Sequence, residues 1–420
     1  MVNAEVIAIG DELLIGQVIN TNASWIGQRL SMMGIKNDFV STVGDQKQHI
    51  LSALQLAAQR SQIIFITGGL GPTKDDITKA VLCEYFQVGM RSDEGVLANI
   101  TRIFKFRGRT LSDLNTMQAQ VPVNCKVIPN EKGTAPGMWF EFEGRIYISM
   151  PGVPYEMKDM MEKTILPDLA EKYSEGCIQH QTLHTVGIPE SFLAAKLHDF
   201  ENQLPGNISL AYLPEAGMVR LRLSGFGSDK DALTQKMQEQ LVVLKNIAGK
   251  YIYSDQGESL EEVIGNLLRS QQASLSLAES CTGGYLAHLM TSVSGSSDYF
   301  MGGLITYSNA SKINWLGVSE ENITKFGAVS EEVVLEMAKA AKEKFGTTYA
   351  LSVSGIAGPN GGSQEKPVGT VWIAIATPKG TRAEKFQFSE DRKLNIRLAA
   401  ITALDVLRHE ILPYITIDEP

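Results

Sequence analysis

Short apolar runs that end in glycine turns recur along this chain and constrain its fold more than any other feature. Residues 4–9 run into Gly10-Asp-Glu12, and Ile63-Ile-Phe-Ile-Thr67 runs into Gly68-Gly-Leu-Gly71. Ser274-Leu-Ser-Leu-Ala278 leads to Gly283-Gly284, and the run at 349–354 leads to Gly355. Between them lie stretches with helical spacing. Asn20-Thr-Asn22 can cap a helix carrying Trp25, Ile26, Leu30 and Met33, and others are expected near 46–60, 155–170, 259–270, 330–345 and 391–411. Strands alternating with helices predict an α/β chain with parallel sheets covered on both faces. A hairpin is expected around Glu143-Gly144.

The chain has 420 residues, and at roughly 150 residues per domain that predicts about three. The middle stretch changes character: Met218-Val-Arg-Leu-Arg-Leu-Ser224 alternates at period two, and a turn at Ser254-Asp-Gln-Gly257 follows. The expected divisions are 1–170, 171–255 and 256–420. The net charge of −9 offers phosphate backbones no general attraction, so neither nucleic acid nor an anionic membrane is an expected partner. Four scattered cysteines form no C-x-x-C pair, and the N-terminus reads as a first strand. A reducing, cytoplasmic setting is expected.

Two glycine turns of the first domain suggest a phosphate site. Gly68, Gly69 and Gly71 with Thr73 form a loop read as opening a helix, where backbone amides favour an anion. Asp75 and Asp76 add hard oxygen ligands of the kind a divalent cation takes. Gly10 and Glu12 are expected on the same sheet edge. No Gly-Lys-Ser/Thr occurs, so this is not a Walker A loop. A plain strand–turn–helix corner is the structural alternative.

In Ala278-Glu-Ser-Cys-Thr-Gly-Gly284, Ser280 sits where a strand should turn into a helix, exposing a hydroxyl beside backbone amides. His288 is the near histidine, yet reads as a surface or core residue. Lys312, in Thr306-Tyr-Ser-Asn-Ala-Ser-Lys312, is the better base, provided that desolvation or a neighbouring cation lowers its pKa toward about 7–8. Cys281 is the rival nucleophile. Ser354, Gly355, Gly358 and Gly361 belong to a second phosphate-cradle candidate, and Arg392 can bind that phosphate or depress the lysine.

These motifs, in this order, resemble the competence/damage-inducible protein A (CinA) family over essentially the whole chain. Gly68-Gly-Leu-Gly-Pro-Thr-x-Asp-Asp76 is similar to its molybdopterin-binding-like domain, associated with metal-dependent ADP-ribose pyrophosphatase activity. Ala278-Glu-Ser-Cys-Thr-Gly-Gly284, Thr306-Tyr-Ser-Asn309 with Lys312, and the loop 354–362 resemble its nicotinamide-nucleotide amidase domain. The resemblance implies Ser280 as nucleophile, Lys312 as base, Tyr307 orienting the lysine and Arg392 assisting. Thr282, Gly283, Ser354, Gly355, Gly358 and Gly361 would bind the nucleotide. It implies a divalent metal, magnesium or cobalt, with potassium as an optional companion ion, in the first domain and no cofactor in the amidase. It also implies a homodimer and a KH-like connector, which here lacks the Gly-x-x-Gly loop that clamps RNA. The expected function is a bifunctional NAD-salvage hydrolase acting on nicotinamide mononucleotide and ADP-ribose. The rivals are a non-catalytic pterin- or nucleotide-binding first domain and an accessory protein of DNA uptake or repair.

Overall fold

The computed structural model describes residues 2–106, 108, 110–111, 113–173 and 177–412, with only the backbone described at 113 and 114. The chain divides into two compact units, Met1–Gln179 with Gly225–Met237, and His180–Ser224 with Gln238–Pro420.

The first unit is built on a six-stranded sheet. Its strands in chain order are β1 (Asn3–Ile9), β2 (Lys36–Val43), β3 (Ile63–Thr67), β6 (Lys126–Ile128), β7 (Gly137–Phe142) and β8 (Arg145–Met150). A small ribbon of β4 (Met90–Ser92) and β5 (Gln120–Pro122) stands apart from it. The sheet order is β2-β1-β3-β8-β7-β6, parallel from β2 to β8 and antiparallel beyond. Strands β1 and β3 are central, so both faces must be apolar. Val6 and Phe65 join Ile26, Leu30 and Met157 on one side, while Ile7, Ile64 and Ile66 join Ile50, Leu54 and Leu82 on the other. The result is helix, sheet and helix in three layers. The hairpin expected at Glu143-Gly144 forms, with φ of 48° and 74° at its two turn residues. In the methionine-rich helix that follows, Pro154–Met160 and Leu166–Lys172 are joined by a π turn, Met161–Ile165. Pro167 lacks the N–H for an ordinary helical bond at that point.

The connector carries the sheet β10-β11-β9-β12, formed by β9 (Cys177–Val186), β10 (Ile208–Glu215), β11 (Met218–Gly227) and β12 (Ile252–Ser254). Helices Glu190–Asn202 and Lys230–Ala248 accompany it. The last domain has β13 (Leu275–Glu279), β14 (Phe300–Ile305), β15 (Tyr349–Gly355), β16 (Thr370–Thr377) and β17 (Gly380–Gln387), ordered β14-β13-β15-β16-β17. Its first three strands are parallel and the last two antiparallel. Leu275 and Leu277 face helices Leu260–Ser270, Tyr285–Ser292 and Arg392–Ile411, and Ala278 faces helix Glu331–Phe345. Arg408 is buried on the long final helix. It pairs with Asp405 at 2.8 Å and donates to the carbonyls of Lys250 and Ile252, fixing β12 of the connector to this helix.

Two expectations need correcting. The loop after β3 does not open directly into a helix: the next helix begins only at Thr78, beyond Asp75 and Asp76. Nor does the strand turn directly into a helix at Ser280: the helix begins only at Tyr285, because Gly283 and Gly284 are both left-handed, with φ of 60° and 96°. Among the described residues, no helix is long and apolar enough to cross a membrane.

Candidate active site

Strand β13 lies between two parallel neighbours, and its ladder continues one residue past its end. The Thr306 amide donates to the Glu279 carbonyl at 2.8 Å, and the Ser280 amide donates to the Val353 carbonyl at 2.9 Å. Ser280 is therefore fixed at the carboxyl edge of the sheet. Lys312 arrives from the helix Asn309–Leu316, whose start is locked by a reciprocal cap between Ser308 and Ser311. Its side chain is fully buried, and its Nζ lies 2.9 Å from Ser280 Oγ and 2.7 Å from the Thr306 carbonyl oxygen. Both partners are neutral. With no carboxylate partner among the described residues, burial dominates and lowers the Lys312 pKa from 10.5 to about 8.

Desolvation, then, and not Arg392, depresses the lysine. Nor does Tyr307 orient it. The Tyr307 hydroxyl accepts from Arg392 Nη2 at 2.9 Å, while the carbonyl of the preceding residue, Thr306, holds the amine. Cys281 is 6% exposed, and burial pushes its thiol up to about 12, far from the thiolate a nucleophile needs. His288 is exposed and packs against the Tyr285 ring.

Oxyanion stabilisation requires amides that nothing else uses. From Ser280 to His288 the amides of residues 280, 283, 284, 285, 286, 287 and 288 all donate to protein oxygens. Those of Cys281 and Thr282 have no acceptor on another described residue, and they directly follow the serine. The buried hydroxyls of Thr282 and Thr306 also have no hydrogen-bond partner among the described residues.

The glycine loop after β15 forms a second wall. A Cβ on Gly355, the last residue of β15, would stand 2.6 Å from Val371 Cγ2 and 3.1 Å from Cys281 Sγ, so glycine is what lets this strand end approach both β16 and the Ser280 turn. Gly358 precedes a cis proline, Pro359, and its carbonyl accepts from Arg392 Nη1 at 2.8 Å; Gly361 lies further along with φ 93°. Asn395, buried on the final helix, fastens the loop by donating to the carbonyls of Ala357 and Ser389. Ser354 is committed elsewhere, since its hydroxyl donates to the Ala328 carbonyl at 2.7 Å. That removes it as a substrate donor. Exposed Arg392 and Tyr307 stand beside Gly358 as a polar rim.

In the first unit, Gly68 approaches β1 so closely that a Cβ would lie 2.2 Å from the Ile9 carbonyl oxygen. Gly69 and Gly10 also have positive φ, and Gly71 faces the carboxylate of Asp76. Asp11 and Asp45 hold each other's loops: the Asp11 amide donates to Asp45 at 2.9 Å and the Asp45 amide to Asp11 at 3.3 Å. Burial raises the Asp45 pKa, and repulsion from Asp11, Glu12 and Asp75 adds to it. Asp76 instead turns back onto Thr73, whose amide donates to it at 2.9 Å and whose hydroxyl also donates. Asp75 and Asp76 thus do not form the expected ligand pair. Among the described residues no three His, Cys, Asp or Glu side chains are placed to share a metal ion.

Residues 5–171 match a family described as a probable molybdopterin binding domain, 180–254 the damage-inducible protein CinA KH domain, and 257–411 the CinA C-terminal domain. A CinA-like protein of Cytophaga hutchinsonii is 45% identical over 97% of this chain and 98% of its own length. A putative competence-damage inducible protein of Caldicellulosiruptor saccharolyticus is 42% identical over 98% of this chain and all of its own. Among solved structures, competence/damage inducible protein CihA from Agrobacterium tumefaciens is 37% identical, covering 36% of this chain and 92% of that one with a TM-score of 0.35. With identity of this order sustained from the first domain to the last, the chain belongs to the CinA family.

Proposed function

We propose that the last domain is a serine–lysine amidase that converts nicotinamide mononucleotide to nicotinate mononucleotide and ammonia. The observation that carries this reading is the 2.9 Å contact between Ser280 Oγ and a fully buried Lys312 that has no counter-ion among the described residues. An amine whose pKa is near 8 is largely available as a base at mildly alkaline pH. Neutral Lys312 takes the Ser280 proton as Oγ attacks the carboxamide carbon. The oxygen of the tetrahedral intermediate lies against the Cys281 and Thr282 amides. The Lys312 ammonium then protonates the departing nitrogen, giving ammonia and an acyl-serine, and water activated by Lys312 releases the carboxylate. Arg392, Tyr307 and the 355–361 loop form the side to which the nucleotide phosphate is assigned. The test is product identification: ammonia and nicotinate mononucleotide are expected, unaffected by chelator and absent in Ser280→Ala. Activity in Ser280→Ala that disappears in Cys281→Ala would overturn the assignment.

For the first domain we infer hydrolysis of ADP-ribose to AMP and ribose 5-phosphate with magnesium or cobalt. The crowding of Asp11, Glu12 and Asp75 around Asp45 near the Gly68–Gly71 loop favours it. The side chains as placed do not complete a ligand set, so no step is drawn through a cation. AMP release that stops on chelation supports this reading. Tight ADP-ribose binding without turnover would favour a binding module instead. A cytoplasmic homodimer completes the proposal, and sedimentation velocity checks its stoichiometry.

A further inference from the structure

The first amides of a helix have no intrahelical acceptor and attract anions. In the helix that follows the nucleophile, the protein supplies that anion itself. Glu279 is 1% exposed, and its carboxylate folds beneath the turn that carries Ser280. Oε2 accepts from the Gly284 amide at 3.0 Å and the Leu286 amide at 3.1 Å, and Oε1 accepts from Ala287 at 2.8 Å. The same residue's carbonyl takes the Thr306 amide at 2.8 Å, and the Thr306 carbonyl holds Lys312 at 2.7 Å. One residue therefore braces the serine turn, the helix start and the strand end that places the base.

We propose that Glu279 is a positioning residue for the amidase reaction, an inference that rests on the reading above. Its carboxylate closes the helix start to a substrate anion, which directs the phosphate toward Arg392 and Gly358. It also holds the turn so that the Cys281 and Thr282 amides are the two left facing the oxyanion. An ionised carboxylate only accepts hydrogen bonds and so suits three converging donors. Glutamine would set an NH2 against at least one of them, and aspartate keeps the charge but falls one methylene short.

The test compares wild type, Glu279→Gln and Glu279→Asp, with Ser280→Ala as the zero. In Glu279→Gln, kcat for ammonia release should fall about 10- to 100-fold, somewhat less than outright loss of an oxyanion donor. KM should stay within about threefold. The acid limb of the pH profile should remain where it is, because Lys312 keeps its burial. Glu279→Asp should recover part of kcat. An unchanged kcat, or a loss confined to KM, overturns the proposal. If Glu279→Gln does not fold, hydrogen exchange in the wild type decides: Gly284, Leu286 and Ala287 amides exchanging like open-loop amides would contradict the bracing. If wild type releases no ammonia, the amidase reading fails by itself. Labelling of Ser280 by a fluorophosphonate then still reads the geometry: slower labelling in Glu279→Gln supports positioning, and equal rates overturn it.

Discussion

The two glycine-turn edges of this molecule share a local plan and treat charge in opposite ways. At the last-domain edge the ionisable group that matters, Lys312, is withdrawn from water and surrounded by a hydroxyl and a carbonyl, so its charge is disfavoured. At the first-domain edge burial raises Asp45 first, and the like charges of the exposed Asp11, Glu12 and Asp75 add to it. A proton acceptor is made by removing solvent. A surface that recruits a counter-charge is made by keeping carboxylates at the solvent boundary. The last-domain edge is assembled as it stands, whereas the first-domain edge has Asp76 still engaged with Thr73.

The contrast breaks most sharply at the dyad. Ser280→Ala and Lys312→Met should each lower ammonia release by about 10³-fold or more, since members of such a unit fail together. Cys281→Ala should retain activity within about threefold on the same assay, because its thiol is buried and protonated. A smaller effect is expected at the rim. Arg392→Ala removes a charged donor beside Gly358 and should raise KM for nicotinamide mononucleotide about tenfold or more, with less change in kcat. Tyr307→Phe, which leaves the guanidinium in place, should shift KM by less. The smallest effect concerns the acidic edge. The folded-state pKa of Asp45 is raised, so its contribution favours folding at low pH and is lost as pH rises through that value. Asp45→Asn should therefore stabilise the first unit slightly near neutral pH, because the group is partly exposed and solvent screens it. A denaturant midpoint read at pH 7 and again near pH 3, below the ordinary value of 3.8, checks the gain and its disappearance.

Much of this architecture was legible because the informative signals are local. Unbroken apolar runs such as Ile63-Ile-Phe-Ile-Thr67 identify central parallel strands, and Asn20 marks the helix start that it caps. Strand β14 gave no such signal, because Gly302 and Gly303 interrupt it; a Cβ on Gly302 would strike the Phe345 ring. Ser280 was legible as a residue type at a turn and Lys312 as a nearby base, but the depressed lysine depends on burial that only three-dimensional packing supplies. Glu279 was overlooked beside the serine, since a carboxylate in a strand reads as solvent-facing until its three amide partners are seen. Roles carried by backbone escaped in the same way: the lysine is held by the carbonyl of Thr306, not by the ring of Tyr307. Asp76 looked like a ligand, and the Thr73 amide three residues back was the nearer partner.

The most direct test of the central claim is the pH dependence of kcat/KM for ammonia release from nicotinamide mononucleotide. The reactive form has neutral Lys312, so activity should fall as pH drops through about 8, by close to tenfold per unit on the acid side, and level off above it. A profile flat between about pH 6.5 and 9, or a limb that rises only near the ordinary lysine value of 10.5, would contradict a desolvated Lys312 acting as the base for Ser280.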